Sequence, residues 1–289
     1  MPLGSPEGPR WRSFLEHLSV ERVADGRYQA MCLAGRSERI FGGQVAAQAV
    51  VAASAESASG MVPLSEHVQF LRAGDPRELV EYVVTNMRIG RSFQHWRVEA
   101  EQAGRCIASV VVALHHPDPS RGPSHSIPNL DSSRPESLPD ITAATRPGTQ
   151  VEIRRGLDIR QGLVWTPEAE LTTPYKSVWY RCTEELGDDP IMHAAVLVWA
   201  SDLEMTWTVD LPYRVGVKNR KAASLDHVVY FHAPLDARAW WLYEQKSPVL
   251  EHGRALALGR VFAQNGGLLA SVSQQSLLRL EMNEPQTIL

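Results

Sequence analysis

The sequence predicts an α+β protein in which one unit is made twice, each unit a long apolar helix wrapped by a curved antiparallel sheet. Three observations predict it. Two stretches, one in each half, are apolar nearly all round. Each is followed by several runs of β-type composition with turn residues between them. A series of short residue strings also recurs in the same order in both halves.

The first helix is expected from Gly43 to about Glu56, through Gln44-Val45-Ala46-Ala47-Gln48-Ala49-Val50. The second is expected from Pro190 to about Ala200. Asp189 is its N-cap, and Pro190 takes the first helical position, where a missing N–H is harmless. A helix with no polar face must be buried on most sides. Strands are expected at 64–71, 79–88, 93–103 and 106–114, and again at 226–232, 240–246, 254–264 and 268–278. The last two strands of each half meet at Ala103-Gly104 and at Asn265-Gly266. Asn-Gly is the stronger hairpin signal, because both residues tolerate the positive φ of a type I′ turn.

The repeat begins with Leu64-Ser65-Glu66-His67-Val68 and Ser224-Leu225-Asp226-His227-Val228. It continues with Gly90-Arg91, Arg97-Val98, Gln102, Gly104 and Ala108-Ser109-Val110 in the first half. Gly253-Arg254, Arg260-Val261, Gln264, Gly266 and Ala270-Ser271-Val272 answer them in the second. His67 and His227 match in this alignment, which predicts a shared role in the fold rather than in chemistry. Residues 116–150 are rich in proline and serine and keep no apolar period, so they read as a linker or surface crossover. The expected organisation is a first unit over 1–115, that linker, and a second unit over 151–289. A helix wrapped by a curved sheet, made twice, is the double hotdog architecture. A generic α+β protein with two similar halves is the plainer alternative.

Composition narrows the function classes. The chain has 289 residues, 44% hydrophobic and 21% charged, with a net charge of -4. That balance is not built to coat nucleic acid or an anionic membrane. No signal peptide, membrane span or peroxisomal address is read from it. Cys32, Cys106 and Cys182 are odd in number, widely spaced and without metal-ligand spacing, which predicts a reducing, cytoplasmic setting. The chain carries no nucleophile elbow, phosphate loop, dinucleotide fingerprint or metal motif.

Specific strings then carry a resemblance. They are Phe41-Gly42-Gly43-Gln44-Val45, Phe70-Leu71-Arg72-Ala73-Gly74-Asp75-Pro76, Ser92-Phe93, Arg97-Val98 and Gln102-Ala103-Gly104 in the first half. Ala200-Ser201-Asp202-Leu203, Leu225-Asp226-His227, Phe231-His232 and the run from Gly266 to Gln274 follow in the second. Together they resemble the acyl-CoA thioesterase II family over nearly the whole chain. The resemblance implies a double hotdog that hydrolyses fatty acyl-CoA to fatty acid and CoA, as a homo-oligomer and without metal or cofactor. It also implies a water activated by an Asp, a Thr or Ser, and a Gln of the second unit, which fall on Asp202, Ser224 and Gln274. Two departures stand out. The hydroxyl is Ser, which lacks the stiffness of Thr at χ1, and Ala73 replaces a common Pro. Gln275 adjoins Gln274, and a shift by one would turn the other face of the strand inward.

These residue types suit thioester hydrolysis. A carboxylate can take the proton of water, while a hydroxyl and an amide can hold that water in line. Gly42 and Gly43 are the candidate substrate-binding residues. At a helix N-terminus they would let a thioester approach backbone N–H groups closely enough to receive the oxyanion. Plainer roles stand beside these. Asp202 could face solvent at a helix C-terminus, where the macrodipole disfavours an acid. Ser224 could be a turn residue, and Gln274 could lie on a polar edge. Two other functions are compatible. A hotdog enoyl-CoA hydratase would use Asp188 and His193, although capping explains Asp188-Asp189-Pro190 equally. A non-catalytic acyl-CoA binder would keep the fold without the chemistry.

Overall fold

The computed structural model describes residues 11–35, 39–118, 123–129, 134–142, 152–162, 174–213 and 217–282. Both chain ends and parts of the expected linker lie outside the described residues. In chain order the first half contains α1 (Phe14–Leu18), β1 (Glu21–Ala24), β2 (Arg27–Ala30), α2 (Gly42–Ala55), β3 (Val62–Phe70), β4 (Val80–Ile89), β5 (Phe93–Gln102) and β6 (Arg105–His115). The second contains β7 (Leu157–Arg160), β8 (Tyr175–Cys182), α3 (Pro190–Asp202), α4 (Met205–Val209), β9 (Val217–Ser224), β10 (Asp226–Phe231), β11 (Trp241–Glu251), β12 (Arg254–Ala263) and β13 (Leu268–Met282).

Every strand is antiparallel to its neighbours in one 13-stranded sheet. The order is β1-β2-β4-β5-β6-β3-β10-β13-β12-β11-β8-β7, and β9 pairs with the distal part of β13. The expectation of two separate sheets is therefore corrected. β3 and β10 pair edge to edge, with His227 opposite Val68 and Val229 opposite Glu66. Each would otherwise present a row of unpaired backbone groups, and pairing them satisfies both.

Helices α2 and α3 pack side by side, and α2 lies against β3, β4, β5 and β6. The Asp189 side chain caps α3 by accepting from the Ile191 N–H at 2.9 Å. The two buried glutamines of α2 are bonded. Gln44 accepts from the Leu33 N–H at 2.7 Å, and the side-chain amides of Gln44 and Gln48 both donate to the His17 carbonyl. The two helices touch where α2 begins. A Cβ at Gly43 would stand 2.8 Å from the Trp199 carbonyl oxygen, so only glycine allows that approach.

The hairpins differ from expectation. Ala103 and Gly104 both have positive φ, 48° and 69°, as a type I′ turn requires. At the second site only Gly266 is left-handed, at 86°, and the Gly266 N–H donates to the Ala263 carbonyl at 2.8 Å. That loop is longer, and the ladder beside it slips between Val261 and Phe262. Described parts of the proline-rich segment dock on the second half. Ile141 donates to the Ile159 carbonyl at 2.9 Å, and Leu138 packs on Trp179, Trp240, Leu242 and Phe262. Among the described residues no helix is long and apolar enough to cross a membrane.

Candidate active site

Asp202 is the last residue of α3, where its own helix dipole opposes a negative charge. The close approach of the two helices reverses that disadvantage. Asp202 lies at the N-terminus of α2, and its Oδ2 is 3.2 Å from where a Cβ on Gly42 would stand. The Gly43 N–H and the Ser224 hydroxyl both face the carboxylate. Its Oδ1 is buried and has no hydrogen-bond partner within the chain. Burial pushes the carboxyl up to about 7, against the pull of Gly43 and Ser224 in the other direction. A carboxyl poised there is suited to take and return a proton at neutral pH.

Ser224 ends β9 and Gln274 lies mid-way along β13, fully buried. The Gln274 Nε2 donates to Ser224 Oγ at 3.0 Å and approaches Ser276 Oγ at 3.3 Å. With the amide so oriented, its Oε1 accepts from His227 Nδ1 at 2.8 Å. His227 Nε2 lies 2.8 Å from Ser201 Oγ, whose hydroxyl also lies within bonding distance of the Val198 carbonyl at 3.0 Å. The bonds thus connect Ser201, His227 and Gln274 to Ser224, whose own proton is then free to point at Asp202. Burial holds His227 down at about 4, so the ring is neutral at physiological pH.

Asp202, Ser224 and Gln274 are therefore brought together, and Gly42 and Gly43 adjoin them. In the first turn of α2, Gln44 and Val45 already bond to the Phe41 carbonyl, so Gly42 and Gly43 carry the donors the helix itself does not use. Sequence reasoning missed His227. The string alignment pairs it with His67, but the His67 side chain is 47% exposed, whereas His227 is fully buried and bonded to Gln274. The hydratase pair is not assembled. Asp188 is exposed and bonds Arg238 at 3.1 Å. His193 accepts from the Ala237 N–H through Nδ1 and faces the Gly187 carbonyl through Nε2, so backbone groups occupy both ring nitrogens. Among the described residues no cluster of His, Cys, Asp and Glu could hold a metal ion.

One continuous antiparallel sheet with two paired central helices defines the class, a hotdog-fold protein. Comparison with known proteins identifies the family. Residues 161–277 match the family model for acyl-CoA thioesterase, and residues 33–115 match that for the acyl-CoA thioesterase N-terminal domain. The chain is 33% identical to acyl-coenzyme A thioesterase 8 of Mus musculus over 263 residues, 85% of this chain and 82% of that protein. It is 28% identical to acyl-CoA thioesterase 2 of Haemophilus influenzae, across 91% of this chain and 95% of the other. The crystal structure of an acyl-CoA thioesterase II from Mycobacterium marinum superposes with a TM-score of 0.79 at 31% identity, covering 93% of this chain and 99% of that one. A hotdog-fold protein from Alicyclobacillus acidocaldarius, at 18% identity and a TM-score of 0.75 over 93% of this chain and 98% of the other, agrees in fold. The chain belongs to the acyl-CoA thioesterase family and is a thioester hydrolase.

Proposed function

We propose that Asp202 is the general base of this hydrolase and that Ser224 and Gln274 hold the water it activates. The observation that carries the reading is the Asp202 carboxyl, buried beside Ser224 with Oδ1 unpartnered. Water donates a proton to Asp202 as its oxygen bonds to the thioester carbonyl carbon. The oxyanion is received at the N-terminus of α2, by the Gly42 N–H, while the Gly43 N–H stays on Asp202 and Gly43 keeps the approach open. When the tetrahedral intermediate collapses, the carbon–sulfur bond breaks and CoA leaves as a thiolate, which takes up a proton. Fatty acid and CoA are the products.

His227 acts through Gln274 and is a positioning residue. The family resemblance also supports fatty acyl chains as substrates and a homo-oligomeric assembly. Three free cysteines among the described residues support a cytoplasmic setting.

The test is release of CoA thiol from a panel of acyl-CoAs. Asp202→Asn is expected to lower kcat by about 10²–10⁴-fold with the fold intact. For the wild type, kcat should rise with pH through a midpoint near 7, because the base works only when ionised. Turnover by Asp202→Asn close to that of the wild type would remove Asp202 from this role. A folded wild type that binds acyl-CoA without releasing CoA would favour the non-catalytic binder.

A further inference from the structure

The strand register relates the two halves in a way that the sequence strings do not. β3 pairs with β6 so that Phe70 faces Ala108, Val68 faces Val110 and Glu66 faces Val112. β10 pairs with β13 so that Phe231 faces Ala270 and Val229 faces Val272. Two residues further along, His227 bonds Gln274. The chain also leaves both strands in the same way. The N–H groups of Leu71 and Arg72 donate to the Ile107 carbonyl, and those of His232 and Ala233 donate to the Leu269 carbonyl. Glu66 therefore holds in the first unit the place that His227 holds in the second, and Val112 holds the place of Gln274.

Glu66 is fully buried, and neither carboxyl oxygen has a hydrogen-bond partner. Its cross-strand neighbours, Val112 on one side and Val229 on the other, are apolar. Val68, two residues along the same face of β3, pairs with His227, whose partner Gln274 bonds Ser224, so the ladder sets Glu66 beside the network that ends at Ser224. Burial above all, then the charges of Asp202 and Asp226, hold its carboxyl well above the usual range. In its protonated form, which this burial favours, Glu66 carries one O–H donor and one carbonyl acceptor, and neither has a partner within the chain. Leaving such a group unpaired is costly, and a substrate that supplies the partner recovers that cost.

We propose that Glu66 is a specificity-determining residue that binds an oxygen substituent, hydroxyl or keto, on the acyl chain of the substrate. This rests on the reading of Asp202 as the base. The O–H of Glu66 donates to the substituent, and its carbonyl accepts from a substrate hydroxyl. A plain alkanoyl chain leaves both unpaired, and a site built to bond a polar group discriminates strongly against an analogue that lacks it.

The test compares 3-hydroxyacyl-CoA with the unsubstituted acyl-CoA of the same length, in wild type, Glu66→Leu and Glu66→Gln. The wild type should prefer the hydroxyacyl substrate in kcat/KM. Glu66→Leu should lower that preference by about 10-fold or more, and Glu66→Gln, which keeps a donor and an acceptor, should retain most of it. Binding of non-hydrolysable ketone analogues, with CH2 in place of the sulfur, is measured alongside by calorimetry. Loss of the binding preference in Glu66→Leu supports the proposal even if no variant turns over, which would indict the hydrolytic reading alone. The same preference in wild type and both variants, or none in the wild type, overturns it. If Glu66→Leu does not fold, Glu66→Gln is compared with Glu66→Met on the same two readouts.

Discussion

His227 and Glu66 occupy equivalent places in the two units, and their surroundings are opposite. His227 has a partner on each ring nitrogen, Gln274 on one and Ser201 on the other. Glu66 has none, because the residue opposite it is Val112 rather than a glutamine. Duplication supplied the same concave position twice. In one copy the polar group became part of a closed network that orients Ser224. In the other it remains a buried carboxyl with no partner. Asp202, Ser224 and Gln274 all come from the second unit, whereas the α2 N-terminus that Asp202 adjoins comes from the first.

The sharpest way to break this comparison is to make the two positions alike. His227→Leu removes a bonded group, leaving Ser201 and Gln274 buried with a partner missing. It is expected to destabilise the fold by about 2 kcal/mol and to lower kcat on the order of 10²-fold by misplacing Gln274 and Ser224. Since His227 does not touch substrate, KM should move far less than kcat, and His227→Gln should restore part of the rate. Glu66→Leu should act oppositely on stability and raise it by about 1–3 kcal/mol, because it removes an unsatisfied group from an apolar row. Urea unfolding of both variants checks the signs. Equal losses would mean that bonding does not distinguish the two positions.

Much of this arrangement was readable in the sequence. Apolar periodicity located α2 and α3 within two residues, since a helix with no polar face has few other fates. Eight strands were found because turn residues and β-branched runs bound them. β1, β2, β7, β8 and β9 were missed. β7 is short, and β9, Val217–Ser224, is mostly polar and half-exposed, so its identity comes from pairing with β13 rather than from its composition. Asp202, Ser224 and Gln274 came from family resemblance, not from any local signal. The role of His227 was hidden by a string alignment that matched it to His67. In strands a shift of one residue exchanges the inward and outward faces, and only the ladder register reveals that Glu66 is the true counterpart. No sequence pattern announces the near approach of α2 and α3, which moves Asp202 from an unfavourable helix end to a favourable one.

A smaller effect should be visible in the pH dependence of stability. Native Glu66 holds its proton well above the ordinary glutamate value of 4.5, at which the unfolded chain releases its own. Above that pH the unfolded state binds fewer protons than the native state, so stability falls as pH rises. For a single group the slope is at most about 1.4 kcal/mol per pH unit. Asp202, raised to about 7, contributes a slope of the same sign over its own interval. Subtracting the Glu66→Gln curve from that of the wild type removes the shared contribution. The stability advantage of the variant should be near zero below the ordinary glutamate value and should grow as pH increases. An advantage that does not change with pH would mean that Glu66 is not a proton-holding acid in the native protein.

The smallest effect tests the equivalence of Val112 and Gln274 directly. Threonine has the shape of valine and adds a hydroxyl, so Val112→Thr offers Glu66 a cross-strand partner with little change in volume. Alone, in an apolar row, a new buried hydroxyl destabilises. Beside an acid that lacks a partner, part of that penalty should be recovered. Val112→Thr is therefore expected to cost about 0.5–1 kcal/mol less in the wild type than in the Glu66→Leu background, as a double-mutant cycle measures it. The gain should come with a weaker preference for the 3-hydroxyacyl substrate, because the hydroxyl now competes for the same donor and acceptor. Coupling near zero would mean that the two side chains do not meet across the ladder as Gln274 and His227 do. The likeness of the two units would then end at the backbone.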